Sequence, residues 1–134
     1  MTRPTLPQTL AAILGLAAGS ALAQVTGIQF TEEGACRVNE ITLGEPARIE
    51  ARRVQKIVEI KVAANFGCGT TAGKPWVEEG GGEIRVYADT LLPNHPTPAC
   101  KCTRHLVYRF SMESPPPRIV FMKDGRVEGE GRLQ

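Results

Sequence analysis

From Ile57 to Phe66 the chain alternates: Val58, Ile60, Val62, Ala64 and Phe66 fall on one side, and Ile57, Glu59, Lys61, Ala63 and Asn65 on the other. A period of two belongs to an extended strand, so this segment sets one wholly apolar face against a core and turns a mixed face outward. A continuous helix from Ala47 to Asn65 is the rival, because Glu, Arg, Lys and Ala favour it. From Ile57 onward the β-branched residues outweigh that preference. The second such segment is Cys100 to Met112, with Cys100, Cys102, Leu106, Tyr108, Phe110 and Met112 on one face and Lys101, Thr103, His105, Arg109 and Ser111 on the other. Arg104 interrupts the apolar row, which marks a bulge or an exposed sheet end.

The rest of the chain supports short strands between turn residues. Val25 to Thr31 and Cys36 to Leu43 read as strands, the latter with Val38 and Ile41 turned inward, and Arg48 to Val54 joins the long strand through a turn at Gln55-Lys56. Gly67-Cys68-Gly69 ends that strand, Thr70 to Pro75 reads as a loop, and Trp76-Val77 pairs across Gly80-Gly81-Gly82 with Glu83 to Ala88. Leu91 to Ala99 carries three prolines and crosses between elements. Ile119 to Met122 is a further strand, followed by a two-residue turn signal at Asp124-Gly125. Glu128 to Gln134 is polar and glycine-bearing, so a frayed tail is expected there. Seven or eight strands at this spacing predict an all-β domain, an antiparallel β-sandwich of immunoglobulin or fibronectin type, with a small β-barrel as the alternative.

Residues 1–23 have the pattern of a cleavable export signal. Arg3 supplies the positive start, Leu10 to Leu22 is apolar and uncharged, and Ala21-Leu22-Ala23 is a small-residue cleavage site before Gln24. About 13 apolar residues fall short of the roughly 20 that a membrane-crossing helix needs, so no span is expected after cleavage. The mature chain, 24–134, is then one domain delivered to an oxidising place, periplasmic or secreted.

Four cysteines in such a chain predict two disulfides with three possible pairings. Cys100 and Cys102 sit two apart on one face of a strand, with Cα atoms about 6.6 Å apart and parallel side-chain vectors. That geometry disfavours a bond between them. Each is expected to pair with Cys36 or Cys68. The same four sulfurs, with Met112 and Met122, offer a soft-metal site for Cu(I) or Zn(II), or a thiol-redox centre through Cys100-x-Cys102. Paired Cys-x-x-Cys spacing is absent and His105 points away from the cysteine face, so no metal or other cofactor is assigned.

Other chemistry has little material. After Arg3 leaves with the signal, the remaining basic residues nearly balance the 14 acidic ones. This gives no footprint for nucleic acid or an anionic membrane. Arg48, Arg52, Arg53, Lys56 and Lys61 form a basic run, but Glu50 and Glu59 interrupt it, as on a solvated strand face. Ser111 and Ser114 lie in no nucleophile motif, and Gly80-Gly81-Gly82 lacks the Lys that follows a phosphate loop. Glu78, Glu79 and Glu83 could pair as glycosidase carboxylates, yet a solvated hairpin explains them as well. Trp76, Tyr87 and Tyr108 are candidates for a binding surface, with core packing the simpler fate for Tyr108. The proline-stiffened loop presenting Pro93, Asn94 and His95 is the expected recognition loop. Together these residues describe an exported, non-catalytic binding or structural module. Its partner would be a protein or another envelope component.

Overall fold

A computed structural model describes residues 24–134; the export-signal reading, 1–23, lies outside the described residues. The strands are β1 (Thr26–Glu32), β2 (Arg37–Val38), β3 (Arg48–Val54), β4 (Ile57–Gly67), β5 (Thr71–Gly80), β6 (Glu83–Leu91), β7 (Lys101–Ser111), β8 (Arg118–Lys123) and β9 (Arg126–Arg132). They form two packed sheets, one ordered β1-β7-β4-β3 with β2 also on β7, the other β5-β6-β8-β9. The protein is a disulfide-bonded β-sandwich, as its alternation predicts.

The two segments with the clearest period lie side by side at the centre. β4 and β7 pair antiparallel from Ile57 opposite Ser111 to Gly67 opposite Lys101, with no shift of register. Val58 therefore faces Phe110, Ile60 faces Tyr108 and Val62 faces Leu106, all fully buried. From the other sheet Val77, Ile84, Val86, Ile119 and Phe121 close on this layer. Each such side chain contributes about 1.5–3 kcal/mol by leaving water. Tyr108 also joins the layers directly: its hydroxyl donates to the Tyr87 carbonyl of β6 at 2.7 Å.

Five expectations are corrected. The sheets are not wholly antiparallel, because β6 and β8 run parallel. β7, between them in the chain, belongs to the opposite sheet, so the chain re-enters the second sheet from the end where β6 began. The segment Thr70 to Pro75 is not a loop. Most of it belongs to β5, where a register shift between Gly73 and Trp76 accommodates Pro75, which has no N–H to donate. Arg104 marks no bulge, since the register runs through it. It stays on the inner face near the sheet end, covered rather than exposed, and pairs with Glu32 and the Thr70 carbonyl. Cys36 to Leu43 holds only the two-residue β2, so Val38 is exposed and of the two residues expected to turn inward only Ile41 is buried.

The fifth correction concerns the tail. Arg126–Arg132 is a paired strand, Leu133 N–H donates to the Pro117 carbonyl and Gln134 N–H to the Ala51 carbonyl. The glycines that suggested fraying serve close approach instead. A Cβ on Gly129 would stand 2.6 Å from the Ala47 carbonyl oxygen, and one on Gly131 would stand 2.8 Å from the Ile49 Cβ. β3 and β9 meet there, with Ala47 N–H donating to the Glu128 carbonyl at 2.8 Å. This edge is the nearest the sandwich comes to barrel closure. Gly129→Val is expected to force the seam apart and to cost about 1–3 kcal/mol. Urea unfolding checks it; an unchanged midpoint would contradict the close packing.

Candidate functional site

Both disulfides lie at one end of the sandwich, around the start of β7. Cys36, just before β2, bonds Cys102 with Cα atoms 5.2 Å apart, and Cys68, in the β4–β5 turn, bonds Cys100 with Cα atoms 5.3 Å apart. Cys100 and Cys102 thus take different, distant partners, as expected from their spacing. Cys102 is buried within β7, whereas Cys100 precedes the strand and is exposed. The Cys68 N–H donates to the Cys100 carbonyl at 2.9 Å, continuing the pairing of β4 with β7 past the end of the strands. Two such bonds fit an oxidising compartment. No free cysteine remains among the described residues. A thiolate metal site or a dithiol centre would therefore need these bonds reduced.

Polar contacts hold the remaining loops at this end. Asn65 donates through Nδ2 to the Ile41 carbonyl at 3.0 Å and accepts from the Thr103 hydroxyl at 2.7 Å. His105 Nε2 lies 2.8 Å from the Glu40 carboxylate, whose pKa is lowered chiefly by that contact. These links seat residues 40–41 on the outer face of the first sheet. Lys123 Nζ donates to the Asn65 carbonyl at 2.8 Å and sits 5.0 Å from the centre of the Phe66 ring. Beside it, Asp124 accepts from the Thr90 N–H and hydroxyl, both at 2.7 Å. Burial raises the Asp124 pKa, but the two Thr90 bonds and nearby Lys123 and Lys101 outweigh it and leave the carboxyl below its usual value.

Between these loops runs a groove of about 690 Å³, lined by Leu43, Leu92, Thr97, Pro98, Ala99, Lys101, Lys123 and Asp124 among others. Leu43 and Leu92 are 70% and 76% exposed, which for leucines flanking a concavity leaves apolar surface unburied. The expected recognition loop borders this groove, but not through the residues singled out from sequence. Leu92 and Thr97 to Ala99 line it, while Pro93, Asn94 and His95 do not. His95 is exposed, with Nδ1 3.1 Å from the Pro96 carbonyl oxygen. Leu43, Leu92, Lys101 and Lys123 were not legible as a group, because they come from four separate parts of the chain.

The other candidates lie elsewhere. Glu78 accepts from the Tyr87 hydroxyl at 2.6 Å and from Arg85, and Glu83 pairs with Arg85 and Arg118, so two of the three hairpin carboxylates are engaged by partners, while Glu79 is exposed. Trp76 is half-exposed on the outer face of the second sheet, and Tyr108 is core. Among the described residues, no three of His, Cys, Asp and Glu converge as metal ligands would. Comparison of the chain with protein families, curated proteins and solved structures returns no match.

Proposed function

We propose that this chain is an exported, non-catalytic binding module, periplasmic or secreted, that engages a protein or other envelope component through the groove at its disulfide-clamped end. The observation carrying this reading is the pair of exposed leucines, Leu43 and Leu92, at a concavity lined by Cys100, whose bond to Cys68 ties one wall covalently to the end of β4. A rigid apolar rim loses little entropy on docking, so its burial is available as binding energy. Lys101 and Lys123 favour a partner with a carboxylate or other anion beside its apolar contact.

A photo-activated crosslinking residue in place of Leu92, carried by the exported protein in intact cells, tests this. One discrete adduct is expected, and Leu43→Asp is expected to weaken it about tenfold, the loss of one buried aliphatic contact worth roughly 1.5 kcal/mol. The same residue placed at Glu79, at the far end of the sandwich, should not form the adduct. No adduct from position 92, or an identical one from position 79, would contradict the assignment.

A further inference from the structure

The opposite end of the sandwich has a different surface chemistry. At the tip of the β3–β4 hairpin Val54 and Ile57 are register partners and are 60% and 46% exposed. Arg53 and Lys56 flank them. On the outer sheet face immediately behind, Arg52, Glu59 and Arg109 form one cross-strand row. The nearly buried Glu59 carboxylate receives Arg52 Nε at 3.2 Å and Arg109 Nε at 2.8 Å, yet the two guanidinium side chains remain 69% and 55% exposed. Lys61 adds a cation in the next row and makes no ion pair among the described residues. Among the described residues, the side-chain carboxylates on this surface are Glu50, Glu59 and Glu113. Glu59 lies beneath its two arginines, and Glu113 pairs with Lys56 at 2.8 Å. Five cations thus face three anions around an exposed aliphatic pair. The near-neutral total of the chain hides this local excess, because the fold brings Arg109 beside residues far from it in sequence.

We infer that the β3–β4 hairpin tip and the cationic sheet face behind it dock reversibly on an anionic lipid surface. Two observations favour that occupant. The first is charge complementarity: aliphatic side chains set among Lys and Arg match acyl chains beneath anionic headgroups. The second is where the chain outside the described residues joins. Thr26 pairs with Ser111, and Ser111 pairs with Ile57, so the apolar leader segment would enter about 10 Å from the hairpin tip, two strand spacings away. The disulfide-clamped groove lies at the other end of β4 and β7, about 30 Å off, and stays free. The docking surface is therefore independent of the groove.

Sedimentation of the oxidised, leader-free protein with lipid vesicles tests the inference. Partition is expected onto phosphatidylcholine vesicles containing about one-third phosphatidylglycerol and not onto pure phosphatidylcholine. It should fall at least about tenfold when salt rises from roughly 0.05 M to 0.3 M, as screening shortens the reach of the cations. Lys61→Glu, which disturbs no ion pair, is expected to weaken partition about tenfold or more, and Val54→Asp likewise, while Lys101→Glu at the groove end leaves it unchanged. Thermal melts establish that each variant is folded; should Val54→Asp fail to fold, Lys61→Glu carries the test alone. Equal partition onto neutral vesicles would overturn the proposal. So would indifference to Lys61→Glu, binding of a soluble polyanion without binding of vesicles, or self-association in place of sedimentation with lipid.

Discussion

Reduction of both disulfides is expected to leave this chain largely unfolded at 37 °C. The Cys36–Cys102 bond closes a loop of sequence separation 66 and the Cys68–Cys100 bond one of 32. In the chain-entropy picture these constrain the unfolded chain by about 4.4 and about 3.7 kcal/mol. The second loop lies within the first, so the joint effect is smaller than the sum. Either is still a large share of the roughly 5–15 kcal/mol by which such domains are stable. Replacing Cys36 and Cys102 together by Ser should lower the melting temperature by on the order of 15 °C, read by circular dichroism. Cys68–Cys100 should be reduced first, because Cys100 is exposed whereas Cys102 is buried in β7. A melting temperature within a few degrees of the oxidised protein's would mean that packing alone carries the fold.

Tyr108 is expected to be the most sensitive single position in the core. Its ring is fully buried between the sheets, edge-on to Phe30 at 5.1 Å, and its hydroxyl reaches the Tyr87 carbonyl. Tyr108→Ala should cost about 3–5 kcal/mol by opening a cavity. Tyr108→Phe keeps the ring and should cost only about 1 kcal/mol, the net value of one hydrogen bond. Burial also holds the Tyr108 phenol well above its ordinary range. The unfolded phenol ionises near pH 10 and the folded one does not, so this stabilisation is complete below about pH 10 and is lost as pH rises further. Urea midpoints for wild type and Tyr108→Phe across that range check the sign. The wild type should lose stability more steeply with alkali, and parallel curves would contradict the assignment.

What the sequence conveyed depended on how evenly each strand divides between core and solvent. β4 and β7 were legible because each buries one face and turns charged or polar residues outward, so their alternation survives in the order of the letters. β5 was concealed by Gly73 and Pro75, which signal a turn locally but here belong to a bulged strand. β9 was concealed by Gly129 and Gly131, where the glycines answer to the approach of β3 and not to chain flexibility. Strand geometry disfavoured only a bond between Cys100 and Cys102, since two cysteines with parallel side-chain vectors cannot conveniently meet; which of them takes Cys36 came from the fold. The groove could not be read in this way. Leu43 and Leu92 lie in separate connections, which the strand topology, the two disulfides and the Asn65 and His105 contacts bring to one end. The cationic hairpin face was missed for a related reason: Glu50 and Glu59 break the run in sequence, but Glu59 folds beneath its arginines and Arg109 adds to them from β7.

Two specific bonds staple the sandwich at one end and fit an oxidising compartment. Peptide mapping of protein recovered from cells with its thiols blocked at lysis tests this most directly. The expected products are peptides joining Cys36 to Cys102 and Cys68 to Cys100. Four alkylated cysteines in the leader-free product, or a peptide joining Cys100 to Cys102, would contradict it.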